Sequence, residues 1–154
     1  MTYLIRTADA SDAAVIAHHR RAMFEEMQIK GAMDMMEFAF RDWVAEQIER
    51  ELYRGWLVIT ETNEVVAGAG ARLIEWAPTP AFPRTHTQPY ILNVYVEPPH
   101  RRRGLARMLM ETIIAWGQEQ GHPTLALHAS EFGRPLYEQL GFYGTNEMRL
   151  HLRL

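Results

Sequence analysis

Cysteine is missing from all 154 residues. A disulfide framework, thiolate metal sites and a cysteine nucleophile are therefore excluded. Long apolar runs are missing too, and none approaches the roughly 20 residues that a membrane-spanning helix needs. The N-terminal stretch MTYLIRTADASD lacks the basic and apolar regions of a signal peptide, so the default expectation is a cytoplasmic protein with no membrane partner. There is no basic excess: 16 Lys and Arg stand against 19 Asp and Glu, a formal net charge of −3. That balance argues against a chain that coats nucleic acid or an anionic membrane. Extreme polarity is absent as well. A hydrophobic content of 47% with 23% charged residues is a globular composition. The length suits one domain over residues 1–154 with a sizeable core.

What is present reads as a mixed α/β order. Residues 2–6 alternate like a short strand. Residues 12–27 and 34–52 carry apolar side chains near helical spacing, the second with Met36, Phe40, Trp43, Val44 and Ile48 near one face. Residues 56–61 and 65–76 predict a hairpin across Thr62–Asn63–Glu64. Residues 77–89 hold Pro78, Pro80, Pro83 and Pro89, which predicts a long loop, because proline cannot donate to a strand ladder. A strand over 90–96 and a helix over 105–120 follow. Leu105, Leu109, Ile113 and Trp116 share one face of that helix. A strand over 124–129, a short helix over 134–140 and a strand over 147–154 complete the chain, the last with Met148, Leu150, Leu152 and Leu154 on one side. The strand–helix–strand unit from 90 to 129 should contain a right-handed parallel crossover.

Two segments carry chemistry. The first is Arg101–Arg102–Arg103–Gly104–Leu105–Ala106, between a strand end and a helix start. The amides of residues 102–107 can converge on a diphosphate there, and Gly104 lets the backbone approach a ligand without a Cβ clash. Guanidinium groups can add charge-assisted bonds. Arginines at a helix N-terminus oppose its dipole, so their placement is costly unless an anion binds. The pattern lacks both the Gly-Lys-Ser/Thr of a P-loop and the three glycines of a dinucleotide turn. The second segment is LHASEFGRPLYEQLGF, residues 127–142, with Tyr137 on a short helix just past a strand. Alone, Tyr137 reads as a packed tyrosine.

Together the two segments resemble the GNAT superfamily of acyl-CoA-dependent N-acyltransferases. Arg101–Ala106 fits the Arg/Gln-x-x-Gly-x-Gly/Ala motif after a Val94–Tyr95–Val96 strand end, and Leu136–Phe142 is close to the ending LYEKLGF. The resemblance implies a single domain whose mixed central sheet is splayed between the 90–96 and 124–129 strands and flanked by helices. It implies acetyl-CoA as cofactor, lying in that V. The Val96 backbone would pair with the pantetheine arm, and the Val94 amide would bond the thioester carbonyl. Arg101, Arg102, Arg103, Gly104, Leu105, Ala106 and Arg107 would hold the pyrophosphate, and Tyr137 would donate to the departing thiolate. Ser130 stands where many members use Asn to fix the cofactor arm, and Arg102 where many have Gly.

The implied reaction moves an acetyl group to a primary amine, on a small molecule or a protein, by direct attack in a ternary complex. No metal is implied, and a homodimer would be in keeping with many relatives. Tyr90, Leu92 and Asn93 supply no carboxylate to deprotonate the amine. A base would come from His18, His19, Glu25, Glu26, Glu75 or His86, from water, or from desolvation. The missing carboxylate and Ser130 leave an alternative, a GNAT-fold module that senses acyl-CoA without turnover. Phe24, Met27, Met33, Met35 and Met36, with Trp76 and Phe82, suggest a mostly apolar acceptor pocket.

Overall fold

The computed structural model describes residues 1–153. Strand β1, Tyr3–Thr7, leads through a 3-10 turn at Ala10–Asp12 into helix α1, Ala13–Glu26. Two aspartates set that boundary. Asp9 accepts from the Ser11 amide at 2.8 Å, and Asp12 accepts from the Asp9 amide at 2.9 Å, a reciprocal cap on the turn. Arg6 grips Asp12 with two bonds of 2.8 Å. That contact ties β1 to the start of α1 and holds the Asp12 carboxyl below its ordinary pKa.

Helix α2, Met33–Glu49, is followed by strands β2, Tyr53–Thr60, β3, Val65–Trp76, and β4, His86–Val96. Helix α3, Leu105–Glu119, strand β5, Ala126–Leu127, and helix α4, Arg134–Gln139, complete the order. The sheet runs β1-β2-β3-β4-β5, antiparallel except for the parallel β4–β5 pair. Alternation along β2 assigns its two faces. Trp56 and Val58 join Leu109, Met110, Ile113 and Trp116 of α3, whereas Leu57 joins Ile16 and Ala17 of α1 and Val44 of α2. The apolar stripe of α3 is buried as its 3.6-residue spacing predicts, and Trp116 meets Trp56 edge-on at 5.1 Å.

Strand β3 contains the run Ala67–Gly68–Ala69–Gly70–Ala71. A Cβ on Gly70 would overlap the Tyr53 hydroxyl, and one on Gly68 would stand 3.0 Å from His19 Nδ1. The small residues are the space in which these two polar rings lie against the sheet.

Three expectations need correction. Pro89 lies inside β4, opposite Leu73, so the proline loop ends before His86. The Leu73 amide bonds Leu52 O on the β2 side at 2.9 Å. Leu73 and Pro89 are therefore a non-hydrogen-bonded pair, and the proline nitrogen faces away from β3, where no ladder bond is lost. The strand expected over 124–129 shortens to Ala126–Leu127 because β5 pairs β4 only at Tyr90–Ala126 and Ile91–Leu127. The expected last strand does not form over 147–153, and Leu154 lies outside the described residues. Met148, Leu150 and Leu152 are 93%, 80% and 74% exposed, so their alternation has no face to bury. Side chains hold this segment beside β5 instead, with Arg149 and Glu147 both next to His128.

Candidate active site

The pairing of β4 with β3 slips by one residue: Leu92 faces Gly70, while Tyr95 faces Gly68. The extra residue is Asn93, with a left-handed φ of 59°. This is a β-bulge, a device that re-aims the strand beyond it. Asn93 is 3% exposed and is clamped from two sides. Arg20 Nη1 donates to its Oδ1 at 2.9 Å, and its Nδ2 donates to the Tyr53 hydroxyl at 3.1 Å. Asparagine tolerates the left-handed conformation better than most residues, and the clamp over-determines it.

Beyond the bulge, β4 faces a gap. Its pairing with β5 stops at Ile91–Leu127, and the two strands part there. The Glu97 amide bonds Val66 O at 2.8 Å, so the Glu97 backbone faces β3. Backbone direction alternates along a strand, so the N–H and C=O groups of Val94 and Val96 face the opening. The Val96 carbonyl already accepts from Arg101 Nε at 2.9 Å and keeps one lone pair.

The turn after β4 forms a concavity of amides. A 3-10 turn at Pro98–His100 leads to Arg102, with φ 60°, and to Gly104, with φ 77°, which caps α3. The Arg101 amide bonds Pro98 O at 3.3 Å, and the Met108 amide bonds Gly104 O at 3.0 Å. Among the described residues, the amides of 102–107 have no acceptor between those two bonds, as expected for the first helical turn. Left-handed residues among successive amides make an anion-binding nest at the positive end of the α3 dipole. A Cβ on Gly104 would meet nothing within 4 Å, so the turn is open on that side. The cradle therefore fits a diphosphate in shape and polarity.

The three arginines do different work. Arg101 ties the loop down through Val96 O and the Glu26 carboxylate and lies over the Tyr95 ring. Arg102 and Arg103 are exposed and have no partner among the described residues. They are the guanidinium groups free to meet phosphate. Arg107 bridges α3 to α4, donating to Gln139 Oε1 at 2.5 Å. Leu105 is buried beneath the cradle and Ala106 is half-buried, so each offers the site its amide. Ser130 accepts from the Gly133 amide at 3.1 Å, and its carbonyl takes the Arg134 amide at 2.9 Å. It holds the start of α4, and its hydroxyl keeps a proton and one lone pair.

Tyr137 sits on α4 in the same core cluster as α3, with Val94, Val96 and Ala129 packed around that cluster. Its ring lies edge-on to Phe142 at 6.0 Å. Its hydroxyl makes no hydrogen bond among the described residues, and burial raises its pKa above 10. It stays a phenol, able to donate, across the physiological range.

The candidate bases separate sharply. Glu25 is held by Arg21 and Glu26 by Arg101. Glu75 is exposed, and His86 turns back to Arg84 O at 3.1 Å. His18 pairs with Glu97 at 2.8 Å. His19 is 1% exposed, with Nε2 lacking a hydrogen bond and standing 3.7 Å from the same carboxylate. Glu97, Arg20 and Tyr53 were not singled out by sequence reasoning. The one available signal was Asn93, an unusual residue for a strand interior. A small cavity of about 10 Å³, room for one water, lies between His19, Tyr53 and Asn93. Burial pushes Tyr53 up to about 12, so it too is neutral.

Burial pushes the His19 pKa down to about 4, against the pull of Glu97. In the unfolded chain it titrates near 6.5. A group whose folded pKa is depressed costs nothing above the unfolded value and destabilises progressively as pH falls toward the folded one. This histidine should therefore remove about 2 kcal/mol of stability between pH 7.5 and pH 5. Urea unfolding at both pH values should show that loss, with a smaller loss in His19→Gln. Equal losses in both proteins would show that His19 is not its source.

The apolar acceptor pocket is not assembled as expected. Met27 and Met35 are 46% and 74% exposed, and Trp76 and Phe82 are exposed as well. Of the residues named for it, only Met33 lines the open hollow at the α1–α2 junction, which it shares with the polar Glu25, Gln28 and Lys30.

Comparison with known proteins agrees with this fold. The profile of the acetyltransferase (GNAT) family matches residues 14–142, and the chain belongs to that family. A GCN5-related N-acetyltransferase from Ralstonia eutropha JMP134 is 36% identical, with a TM-score of 0.89 over 98% of this chain and 99% of that one. A predicted acetyltransferase from Clostridium acetobutylicum, solved with acetyl-CoA, is 26% identical, with a TM-score of 0.87 over 99% and 96% of the two chains. An uncharacterized N-acetyltransferase of Streptomyces griseus is 44% identical over 52 residues, which are 34% of this chain but only 12% of that protein.

Proposed function

We propose that the chain is an N-acetyltransferase that moves an acetyl group from acetyl-CoA to a primary amine by direct attack. The observation that carries the reading is the conjunction of the Asn93 bulge, the parted β4 and β5 strands and the amide nest at Arg102–Arg107. The nest, with Arg102 and Arg103, binds the diphosphate. The backbone edges of Val96 and Val94 orient the pantetheine arm along β4. Bound acetyl-CoA supplies the electrophilic thioester carbon.

The Val94 amide donates to the thioester carbonyl oxygen, and donates more strongly as negative charge gathers on it. The amine nitrogen forms the new C–N bond while the C–S bond breaks. Tyr137 donates a hydrogen bond to the leaving sulfur. Because burial raises the phenol pKa, full proton transfer costs more than the roughly 2 kcal/mol that separates an ordinary phenol from a thiol. The amine proton is what finally makes the thiol. An alkylamine near 10.4 needs about 3.4 units, roughly 4.6 kcal/mol, to react as the free base at pH 7. The apolar surroundings of β4 contribute by disfavouring the ammonium form.

Acetyl-CoA at about 100 times its Kd should add roughly 2.7 kcal/mol, a rise of about 5–10 °C in melting temperature for a domain of this size. Thiol release with an amine panel then separates turnover from sensing. No thermal shift at saturating acetyl-CoA would defeat the reading.

A further inference from the structure

Arg20 is a charged group with no anion to balance it. Its neighbour on α1, Arg21, meets three carboxylates, Glu25, Asp34 and Glu37, at 2.6–2.8 Å. Among the described residues no carboxylate lies within 4 Å of Arg20. Its guanidinium instead sits between two aromatic rings, 4.8 Å from the Phe24 centroid and 4.6 Å from that of Phe40. Nη1 is used on Asn93 Oδ1 at 2.9 Å. Nε is enclosed and has no acceptor, and Nη2 makes no hydrogen bond among the described residues. The Nε–Nη2 edge is the side-on edge that receives a carboxylate with two parallel bonds. Guanidinium does not deprotonate in proteins, so burial leaves this site positive at any physiological pH.

The location gives the charge a meaning. Arg20 touches the residue immediately before Val94 and approaches it from α1, the helix that packs over the bulge. A simple ammonium arriving here meets a like charge, and a polycation meets it several times over. An amine whose own molecule carries a carboxylate neutralises Arg20 while its nitrogen stays beside β4. We propose that Arg20 is the carboxylate-binding residue of the acceptor site, and that the acceptor is an amine of the amino-acid type. Nε is enclosed, so the half-buried Phe24 must shift for a carboxylate to reach it. This inference rests on the acetyltransferase reading above.

Matched amines test it. With saturating acetyl-CoA, thiol release is measured for phenylalanine against phenethylamine and for leucine against 3-methylbutylamine. The carboxylate-bearing member of each pair should have at least a tenfold higher kcat/KM. Arg20→Gln removes the guanidinium and should bring the ratio close to one, whatever it does to the common rate through Asn93; a structural role alone would lower both members alike. Arg20→Lys should keep part of the preference. A wild-type ratio of one or less, or a ratio unchanged in Arg20→Gln, overturns the proposal.

A binding measurement on the unaltered protein does not depend on the variants folding. N-acetylphenylalanine should raise the melting temperature where N-phenethylacetamide does not, and equal or absent shifts overturn the assignment. Failure of the acetyltransferase reading is seen separately, as no stabilisation by acetyl-CoA and no thiol release from any amine. The acetylated pair still judges Arg20 in that case.

Discussion

Tyr137→Phe should lower kcat by about 100-fold and leave acetyl-CoA affinity within about threefold. The phenol hydroxyl has no partner among the described residues, so its removal breaks no hydrogen bond there and leaves no orphaned group behind. The ring keeps its place against Phe142 and the α3 core, so little stability should be lost. What disappears, in the proposed mechanism, is the donor that meets charge on the departing sulfur, an interaction made chiefly in the transition state. Such interactions act on kcat rather than on ground-state binding, and positioned proton donors contribute typically about 10²–10⁴-fold. Burial also predicts the pH behaviour. Burial raises the Tyr137 pKa above that of an ordinary phenol, so the protonated donor persists into alkaline solution and activity should not fall through its ionisation in the neutral range. Steady-state kinetics across pH, with acetyl-CoA binding measured by calorimetry, checks both parts. Equal kcat in the two proteins would remove Tyr137 from the chemistry.

Periodicity carried most of the fold. The stripe Leu105, Leu109, Ile113, Trp116 predicts the buried face of α3, and all four residues are buried. Proline was the misleading signal. Pro89 excludes a ladder bond on only one side of β4, and which side it excludes depends on register, a property of the pair rather than of the strand. The C-terminal segment misled for a related reason. Alternation reports which side chains would share a face, but a strand also needs a free backbone edge, and β5 is two residues long.

The site was legible where it is local. Gly104 and the helix start after it are consecutive, and so is the α4 segment that carries Tyr137. The rest comes from contacts across long separations. Three adjacent arginines are equivalent in a sequence, and only the fold shows that Arg101 is bound to Val96 and Glu26 while Arg102 and Arg103 have no partner among the described residues. Asn93 was read as the absence of a carboxylate. In the folded chain it is a positive feature, the left-handed residue that turns the Val94 amide toward the gap, held by Arg20 from 73 residues away and Tyr53 from 40. Ser130 shows the reverse: expected to hold the cofactor arm, its oxygen accepts from the Gly133 amide at the start of α4.

Gly104→Val should weaken acetyl-CoA binding by about 100-fold or more, roughly 2.7 kcal/mol. Two effects combine. A β-branched residue resists the φ of 77° that Gly104 adopts, so the amides around it lose the orientation that makes the nest. The new side chain also adds bulk in space free of protein atoms to 4 Å beside the amides proposed to hold the diphosphate. Gly121, just past the end of α3, provides the control. Its φ is 73° and a Cβ there also meets nothing within 4 Å. Gly121→Val should carry a similar backbone penalty, seen as a similar drop in melting temperature, and should leave acetyl-CoA affinity unchanged. The acyl donor can be varied as well. S-acetylpantetheine has the thioester and the arm but no diphosphate, so Gly104→Val should use it as well as the wild type does. If the variant lost both donors equally, the damage would lie in the β4 edge or in folding, and the amides at 102–107 would not be the phosphate site. If Gly104→Val bound acetyl-CoA normally, the cradle would have to be sought elsewhere on the chain. Selective loss of the full cofactor would assign the diphosphate to this turn and leave Val94 and Val96 as the elements that hold the arm.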